Sequence, residues 1–430
     1  MHRTFLKIAG WILLAAWLGL MPGSAAAAGS RTLTVAAFRD RLKGGFVGQM
    51  AGVAYAAPYE FRFDGRMAPQ WLLLPWWPSR LAGALNQDDI YVELTFLAVW
   101  EREGMDAPSS ALARAFGESK YLLWHANKAA RDNIRAGIMP PLSGHPRFNP
   151  HADDIDFQIE ADVFGLICPG LPAAAQELTW RVGHLMNYGD GVYGGVFIAA
   201  MYAEAYFEPD PVKVVQAGLA AIPAESVYAR TIADVLAAHA RVPGDWRVAW
   251  RVVEDNWAGK LHCPTPAPSP AGRLGIGANV NGAYVVIGLL YGQGDPRRTL
   301  AIATRCGRDC DCNAASAMGI LGAIRGFSGL DRAYVAGLDA IKGLKFSYTD
   351  YDWPGALAAM EAKAREVVAA SGGAVKEGDG GQVWEIPVKA LLALPLEQWP
   401  YGMKAEDVPL PPAPAGSAPA MPNRAGSTSG

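Results

Sequence analysis

The sequence has little cysteine, with five residues in a chain of 430. An odd number cannot all pair, so at least one thiol stays free, and a chain of this length does not need a disulfide scaffold. An excess of charge of one sign is also missing, because the formal net charge is −3. That balance does not favour a nucleic acid or an anionic membrane surface as a partner, and we expect neither.

Long apolar runs are missing after the first 28 residues. At the amino terminus, "MHRTFLK" is basic, "IAGWILLAAWLGL" is apolar, and "MPGSAAAAGS" supplies small residues. This order is typical of a secretory signal peptide, with cleavage expected after Ala28. An uncleaved anchor is the alternative, although the apolar run is short for a membrane span. We therefore expect a mature protein that is periplasmic or secreted and has no membrane contact after cleavage.

Alternating strand patterns are scarce as well, and most segments carry apolar residues at helical spacing. The exception is "GAVKEGDGGQVWEIPV", in which a glycine-rich turn separates two short runs and predicts a hairpin. We predict an all-α, multi-helix bundle over residues 29–372. A C-terminal extension containing the hairpin follows over 373–405, and a disordered Pro/Ala-rich tail over 406–430. About 400 residues, half of them apolar, suffice for a large core.

Two aspartates occur together in "NQDDIYVEL". Asn86 is suited to cap the helix that follows, which places Asp88 and Asp89 in its first turn and Glu93 one turn further on. Carboxylates in a first turn are often explained by the free N–H groups and the helix dipole alone. Paired carboxylates are also how proteins hold hard cations. Both explanations stay open for this motif.

The segment "RCGRDCDCN" places two carboxylates and three sulfurs in nine residues. It runs into a small, apolar segment suited to a buried helix, where the carboxylates of Asp309 and Asp311 are costly unless they are paired or bind a metal. Cys306 could form a disulfide in an oxidising compartment, and Cys310 could simply be packed. A zinc site made of cysteines is disfavoured, since no CxxC pair or partner histidine frames it.

These motifs resemble those of the ADP-ribosylglycohydrolase (dinitrogenase reductase-activating glycohydrolase) family. "GGFVGQMAGVAYAAPYEF" is similar to the family's glycine-rich opening, and "QDD" to its Thr-Asp-Asp motif. "GRDCDCNAASAMGILGAIRG" is similar to its Gly-Gly-Asp-Thr-Asp-Thr motif and the Ala/Gly-rich helix after it. The resemblance covers roughly residues 35–330, and the last motif is the most specific. It implies an all-α fold with two divalent cations, Mg²⁺ or Mn²⁺, in a central cleft.

The resemblance also assigns site residues. Glu60 matches the acidic residue beside the substrate ribose, while Gln87 and Cys312 occupy positions at which the family has metal-binding threonines. A thiolate prefers softer metals than a hydroxyl does, which leaves the identity of the metal open. Val53 stands where the family commonly has aspartate. The residues that match the family's metal-binding aspartates are Asp88, Asp89, Asp309 and Asp311.

Substrate contacts are expected from the middle of the chain and from a tryptophan-rich loop. By resemblance, Asp156 and Asp190 fall in regions where the family places substrate loops, and Tyr188 takes the place of a common histidine. Trp76 and Trp77 lie in "PQWLLLPWWPSR", between Glu60 and Asp88 in sequence. Indole rings stack well on sugars and bases, although such residues more often anchor a loop.

The resemblance predicts a metal-dependent glycohydrolase, a monomer, that cleaves an N- or O-glycosidic bond to a ribose-like sugar. Glu60 or Asp311 would act as the general base. The substrate would be a small-molecule or protein-linked glycoside, with ADP-ribosyl groups as one candidate. A glycan- or nucleoside-directed hydrolase is an alternative, because the chain is expected to be exported. A catalytically impaired, metal-stabilised sugar-binding protein is another, favoured by Val53, Gln87, Cys312 and Tyr188.

Overall fold

The computed structural model describes residues 29–262, 275–378 and 381–412. The predicted signal peptide, Cys263 and residues 413–430 of the predicted tail lie outside this part of the chain. No helix among the described residues is both long and apolar enough to cross a bilayer.

The described residues are mostly helical, which confirms the predicted class. Seventeen α-helices are connected by loops and short 3₁₀ turns. They are α1 (Val35–Ala56), α2 (Asp88–Glu103), α3 (Ser109–Glu118), α4 (His125–Arg135), α5 (Asp156–Ile159), α6 (Asp162–Leu166), α7 (Pro172–Gly183), α8 (Asp190–Ala205), α9 (Pro211–Ala220), α10 (Val227–Arg241), α11 (Trp246–Trp257), α12 (Ala278–Gly292), α13 (Pro296–Cys306), α14 (Cys310–Arg325), α15 (Arg332–Val335), α16 (Leu338–Ile341) and α17 (Trp353–Ala370).

Helices α1 and α14 pack against each other at the centre of the fold. The glycines at every fourth position of α1, Gly44, Gly48 and Gly52, face α14. A Cβ atom built on Gly48 would lie 2.4 Å from the carbonyl oxygen of Met318, and one built on Gly52 would lie 2.2 Å from that of Ala314. Because side chains would not fit, glycine allows the two backbones to touch. This contact brings the end of α1 to the start of α14.

A three-stranded antiparallel sheet lies beside the helices, with strand β3 (Gly381–Pro387) between β1 (Ser30–Thr34) and β2 (Ala374–Gly378). The β2–β3 hairpin confirms the sequence prediction, whereas β1 was not predicted. In β1 only Leu33 is buried, so the strand carries no alternating apolar signal. Trp384 of β3 pairs with Leu33 and stacks on Phe38 of α1 at 4.3 Å between ring centroids, which ties the sheet to the helical core.

Residues 388–412, which we call the C-terminal strap, form no strand or α-helix but pack along the helical domain. Val408 is fully buried, although disorder was predicted from residue 406 onwards. Arg147 donates from Nε to the carbonyl oxygen of Val408 at 2.9 Å, and Nε2 of His145 lies 3.0 Å from the carbonyl oxygen of Pro409. The order of residues 406–412 therefore comes from contacts distant in sequence, which composition does not reveal.

Candidate metal centre

The first pair of aspartates lies at the start of α2. The cap residue is Gln87, in extended conformation, and Asp88 and Asp89 occupy the first turn. The sequence suggested Asn86 as the cap, but Asn86 ends the preceding 3₁₀ turn, Pro78–Asn86. The Gln87 side chain makes no capping hydrogen bond, so its amide oxygen remains available for another partner.

The second pair lies at the start of α14. Asp309 is the cap residue, again without a capping hydrogen bond from its side chain, and Asp311 is in the first turn. The chain reaches Asp309 through two left-handed residues, Gly307 at φ 83° and Arg308 at φ 58°. A Cβ atom on Gly307 would lie 1.9 Å from the carbonyl oxygen of Phe63, so this position requires glycine.

The structure brings both pairs into one cluster, which Cys312 joins. Possible ligand atoms of Asp88, Asp89 and Cys312 all lie within 4.8 Å of one another. The same is true of Asp309, Asp311 and Cys312. The sulfur of Cys312 lies 3.4 Å from Oδ2 of Asp89, so it is shared between the two pairs.

Two further carboxylates, those of Glu93 and Asp162, lie close to the cluster. Glu93 accepts a hydrogen bond from the amide of Val163 at 2.9 Å. Asp162 accepts from the hydroxyl of Tyr202 at 2.7 Å and from that of Ser316 at 3.2 Å. The sequence placed Glu93 on the side of Asp89 but gave no role to Asp162. The only signal for Asp162 was its position as a third acid in "IDFQIEADVF".

The aspartates of the cluster are buried, and hydrogen bonds from the protein do not satisfy all of their carboxylate oxygens. Asp89, Asp309 and Asp311 each have one carboxylate oxygen that is buried and has no hydrogen-bond partner among the described residues. Burial, and then the negative charge of neighbouring carboxylates, raises the pKa of all three well above its ordinary value. Several orphaned acceptor oxygens in one place match what a divalent cation requires.

The donor set favours a hard ion. Carboxylate oxygens dominate the cluster, and they suit Mg²⁺ or Mn²⁺. The one soft atom is the sulfur of Cys312, and burial together with the charge of Asp309 and Asp89 raises the pKa of that thiol well above its usual range. Without a cation the sulfur therefore stays protonated at neutral pH, and a neutral thiol is a weak ligand.

Glu60 lies at the edge of the cluster, directly after the turn that ends α1. It is exposed to solvent, unlike the aspartates beside it. Partial burial of its carboxyl group, followed by the negative charges of Asp311 and Asp88, raises the pKa of Glu60 to about 8. An accessible carboxyl group that titrates near neutral pH is suited to proton transfer.

An apolar patch borders the same cluster. Ile155, Ile159 and Ile276 are buried together with Cys312, and Phe61, the residue after Glu60, packs against them. The sequence did not reveal this patch, because its members come from four separate segments. These side chains are almost fully buried, so the patch provides an apolar packing layer beside the carboxylates, and only Phe61 of the patch is partly exposed.

Two of the predicted substrate contacts cap helices. Asp156 accepts hydrogen bonds from the amides of Ala126 at 3.3 Å and Asn127 at 2.9 Å, at the start of α4. Asp190 accepts from the amide of Tyr228 at 2.6 Å, at the start of α10. Asp156 still lies near the cluster, since Asp88 contributes to the rise of its pKa to about 8, after burial and Asp154.

The predicted aromatic contacts occupy different surroundings. Tyr188 packs with Val408 beneath the C-terminal strap, and its ring lies 5.0 Å from that of His145. Trp76 is half-buried and donates from its indole nitrogen to the carbonyl oxygen of Ala333 at 2.9 Å. Trp77 is exposed, with the guanidinium group of Arg80 4.6 Å from its ring centroid. Of the three, Trp77 is the most exposed to solvent.

The described cysteines form no disulfide. Cys168, Cys306, Cys310 and Cys312 are all free and buried. The disulfide considered for Cys306 is therefore absent within this part of the chain. Cys310 points to the carbonyl oxygen of Ala56 at 3.8 Å, away from the two pairs of aspartates.

Comparison with known proteins identifies this arrangement. A sequence profile described as ADP-ribosylglycohydrolase matches residues 34–367. A solved structure titled "ADP-ribosylglycohydrolase-related protein complex" is similar with a TM-score of 0.43 and 14% identity, covering 77% of this chain and 98% of that chain. No curated protein matches the chain. The profile spans the glycine-rich helix and both pairs of aspartates, and the chain belongs to the ADP-ribosylglycohydrolase family.

Proposed function

We propose that this protein is an exported, metal-dependent glycohydrolase that cleaves an N- or O-glycosidic bond to a ribose-like sugar. One observation carries the proposal: two pairs of aspartates from distant helix starts lie in one cluster with orphaned, buried oxygens. ADP-ribosyl groups on a small molecule or a protein are the first substrate class to test. The family supports this chemistry, while the expected signal peptide favours a periplasmic or secreted location, and we propose that the protein acts as a monomer.

Two divalent cations, Mg²⁺ or Mn²⁺, fit the donor set. Asp88 and Asp89, with the amide oxygen of Gln87, would hold one, and Asp309 and Asp311, with Cys312 beside them, the other. Bound there, such cations would offset the negative charge and make a coordinated water more acidic. The protein contributes the arrangement of the carboxylates, and the close packing of α1 on α14 positions Asp309 and Asp311.

Glu60 is the better candidate for the general base. Asp311 is buried, with one oxygen orphaned in the cluster, and is better suited to hold a cation. Glu60 is exposed and can reach a water at the mouth of the cluster. The glycosidic carbon develops positive charge as its bond breaks, and the fixed carboxylates of the site would stabilise that charge.

The exposure of each side chain and its distance from the cluster indicate which residues contact the substrate. Trp77 offers an open ring for stacking on a sugar or base. Trp76, Tyr188 and Asp190 are engaged in contacts within the protein, and we propose that they support the walls of the cleft. Asp156 lies between the cluster and the start of α4, where its charge can reach a bound ligand.

Turnover assays test the proposal directly. Purified protein is offered ADP-ribosyl-arginine, ADP-ribosyl-serine and aryl glycosides with Mg²⁺ or with a chelator, and released sugar is measured. We expect metal-dependent release, lost in Glu60→Gln and Asp311→Asn but kept in Asp339→Asn, whose side chain is 86% exposed. Metal-dependent sugar binding without turnover of any substrate would instead favour a sugar-binding protein.

A further inference from the structure

A second group of ligand-type side chains lies outside the aspartate cluster. Possible ligand atoms of His125, His151 and Asp154 all lie within 4.8 Å of one another. Nδ1 of His151 is 2.7 Å from Oδ2 of Asp154, and Nδ1 of His125 is 3.9 Å from the same oxygen. The two imidazole rings meet edge to face, with centroids 5.3 Å apart. We call this group of two histidines and one aspartate the His–Asp triad.

His125 is held in place by its backbone. It is the first residue of α4 and has a left-handed φ of 42°, which is unusual for a residue other than glycine. The two amides that follow it donate to the carboxylate of Asp156, which fixes this start of the helix. The ring of His125 makes no hydrogen bond to the described residues, so its orientation towards Asp154 is not explained by such a bond.

His151 and Asp154 lie in one tight turn, in which the amide of Asp154 donates to the carbonyl oxygen of His151 at 2.9 Å. The side chain of Asn187 donates to the carbonyl oxygen of Asp154 at 2.9 Å and holds the turn. The neighbouring carboxylate, that of Asp153, points elsewhere and accepts from the amide of His262 at 2.6 Å. Of the two adjacent aspartates, Asp154 is therefore the one that is grouped with His125 and His151.

We propose that His125, His151 and Asp154 bind a first-row transition metal ion, with Zn²⁺ as the reference ion, separately from the aspartate cluster. Imidazole nitrogens suit Zn²⁺ and its neighbours, whereas Mg²⁺ prefers oxygen. Two histidines and one carboxylate leave coordination positions open, as in zinc sites that act on a substrate. Both histidine side chains are 21% exposed, so these positions reach solvent.

Asp156 lies near both the triad and the aspartate cluster. It accepts hydrogen bonds from the amides of Ala126 and Asn127, the two residues after His125, and the charge of Asp88 helps to raise the pKa of its carboxyl group, after burial and Asp154. A cation at the triad would therefore add positive charge beside a cleft that is otherwise lined with carboxylates. It would provide an anchor for an anionic group of a ligand, such as a phosphate.

Zinc titration of the full chain in saturating Mg²⁺ tests this assignment, since Mg²⁺ occupies the oxygen sites first. We expect one Zn²⁺ per chain in the unaltered protein. His151→Ala and His125→Asn should each weaken it at least about tenfold, as expected for loss of one ligand in three. Asparagine tolerates left-handed backbone, so His125→Asn preserves the start of α4. His239→Ala is the matched control, because that ring lies against Tyr291 instead.

The outcomes separate the triad from the aspartate cluster. Zinc lost in His151→Ala and kept in Asp311→Asn supports the proposal, with thermal melting in chelator confirming that each variant folds. Zinc lost in Asp311→Asn and kept in the histidine variants would overturn it. No zinc bound beyond the Mg²⁺ sites would also overturn it and leave the triad as a hydrogen-bonded pair with a neighbouring ring.

Discussion

The amide of Phe61 donates a hydrogen bond of 2.9 Å to the carbonyl oxygen of Arg308. The amide of Arg308 in turn donates to the carbonyl oxygen of Phe63 at 3.1 Å. These two bonds join the residues after Glu60 to the residue before Asp309. The spacing between the proposed base and the second pair of aspartates is thus fixed by backbone, and both Phe61 and Arg308 adopt left-handed φ angles, of 49° and 58°, to allow it.

The side chain of Arg308 secures this junction, and replacing it should be costly. Its guanidinium group is 2.7 Å from Glu254 and 3.3 Å from Asp64, with all three side chains largely buried. Arg308→Met leaves two buried carboxylates unpaired, and we expect a loss of about 3–5 kcal/mol in the free energy of unfolding. Arg102→Met, in an exposed pair with Glu103, should cost about 0–1 kcal/mol. Urea denaturation measures both, and equal losses would contradict this role.

Asp311→Asn should raise the melting temperature in the absence of a cation and lower it, relative to the unaltered protein, when Mg²⁺ is bound. In chelator the variant loses one buried, repelled carboxylate, so its melting temperature should exceed that of the unaltered protein. With Mg²⁺ a hundredfold above its Kd, the unaltered protein should gain about 2.7 kcal/mol and the variant much less. Differential scanning fluorimetry measures the crossover, with Asp339→Asn as the exposed control. A variant that is less stable under both conditions would mean that Asp311 serves packing alone.

Local patterns predicted the helices, the hairpin and both pairs of aspartates, because each of these features depends on residues that are close together in the sequence. What they missed depends on contacts across the chain. β1 forms because Leu33 pairs with Trp384 across the sheet. Asp162 lies near the site because α6 packs against α2. Order in the strap at Val408 depends on partners far away in sequence. The meeting of the two pairs of aspartates was expected from resemblance, while the glycine face of α1 gives the physical reason for the close approach of α14 to the end of α1.

Gly52→Ala tests that reason. The added methyl group would lie 2.2 Å from the carbonyl oxygen of Ala314, which is backbone and cannot turn away. The helices must separate, at an expected cost of about 1–3 kcal/mol or more, and affinity for Mg²⁺ should fall because Asp309 shifts with α14. Gly83→Ala, where the nearest atom is 3.9 Å away, is the matched control. Calorimetric titration with Mg²⁺ measures the affinity of both variants. An unchanged Mg²⁺ affinity in Gly52→Ala would contradict the link between the packing of the helices and the metal site.

The stability of the metal-free protein should fall as pH rises. Burial raises the pKa of Asp162 to about 7 and that of Asp156 to about 8, from an ordinary value of 3.8. Between about pH 4 and 8 the folded state therefore holds more protons than the unfolded state, and its free energy of unfolding decreases with pH. Urea denaturation in chelator at pH 5 and pH 8 measures the drop. Asp162→Asn should reduce it, and saturating Mg²⁺ should reduce it further; a rise with pH would refute the assignment.

The last prediction separates the two cysteines of "DCDC", which face different surroundings. The sulfur of Cys310 lies 3.8 Å from the carbonyl oxygen of Ala56, whereas that of Cys312 lies 3.4 Å from Asp89. Cys310→Ala should leave Mg²⁺ affinity unchanged and cost about 1 kcal/mol of stability. Cys312→Thr should tighten Mg²⁺, because a hydroxyl oxygen replaces a thiol, and weaken Zn²⁺ at the same place. Calorimetry in a His151→Ala background removes the triad's zinc from the measurement. If Cys310→Ala loses Mg²⁺ as fully as Asp311→Asn does, the sulfurs and not the carboxylates define this site.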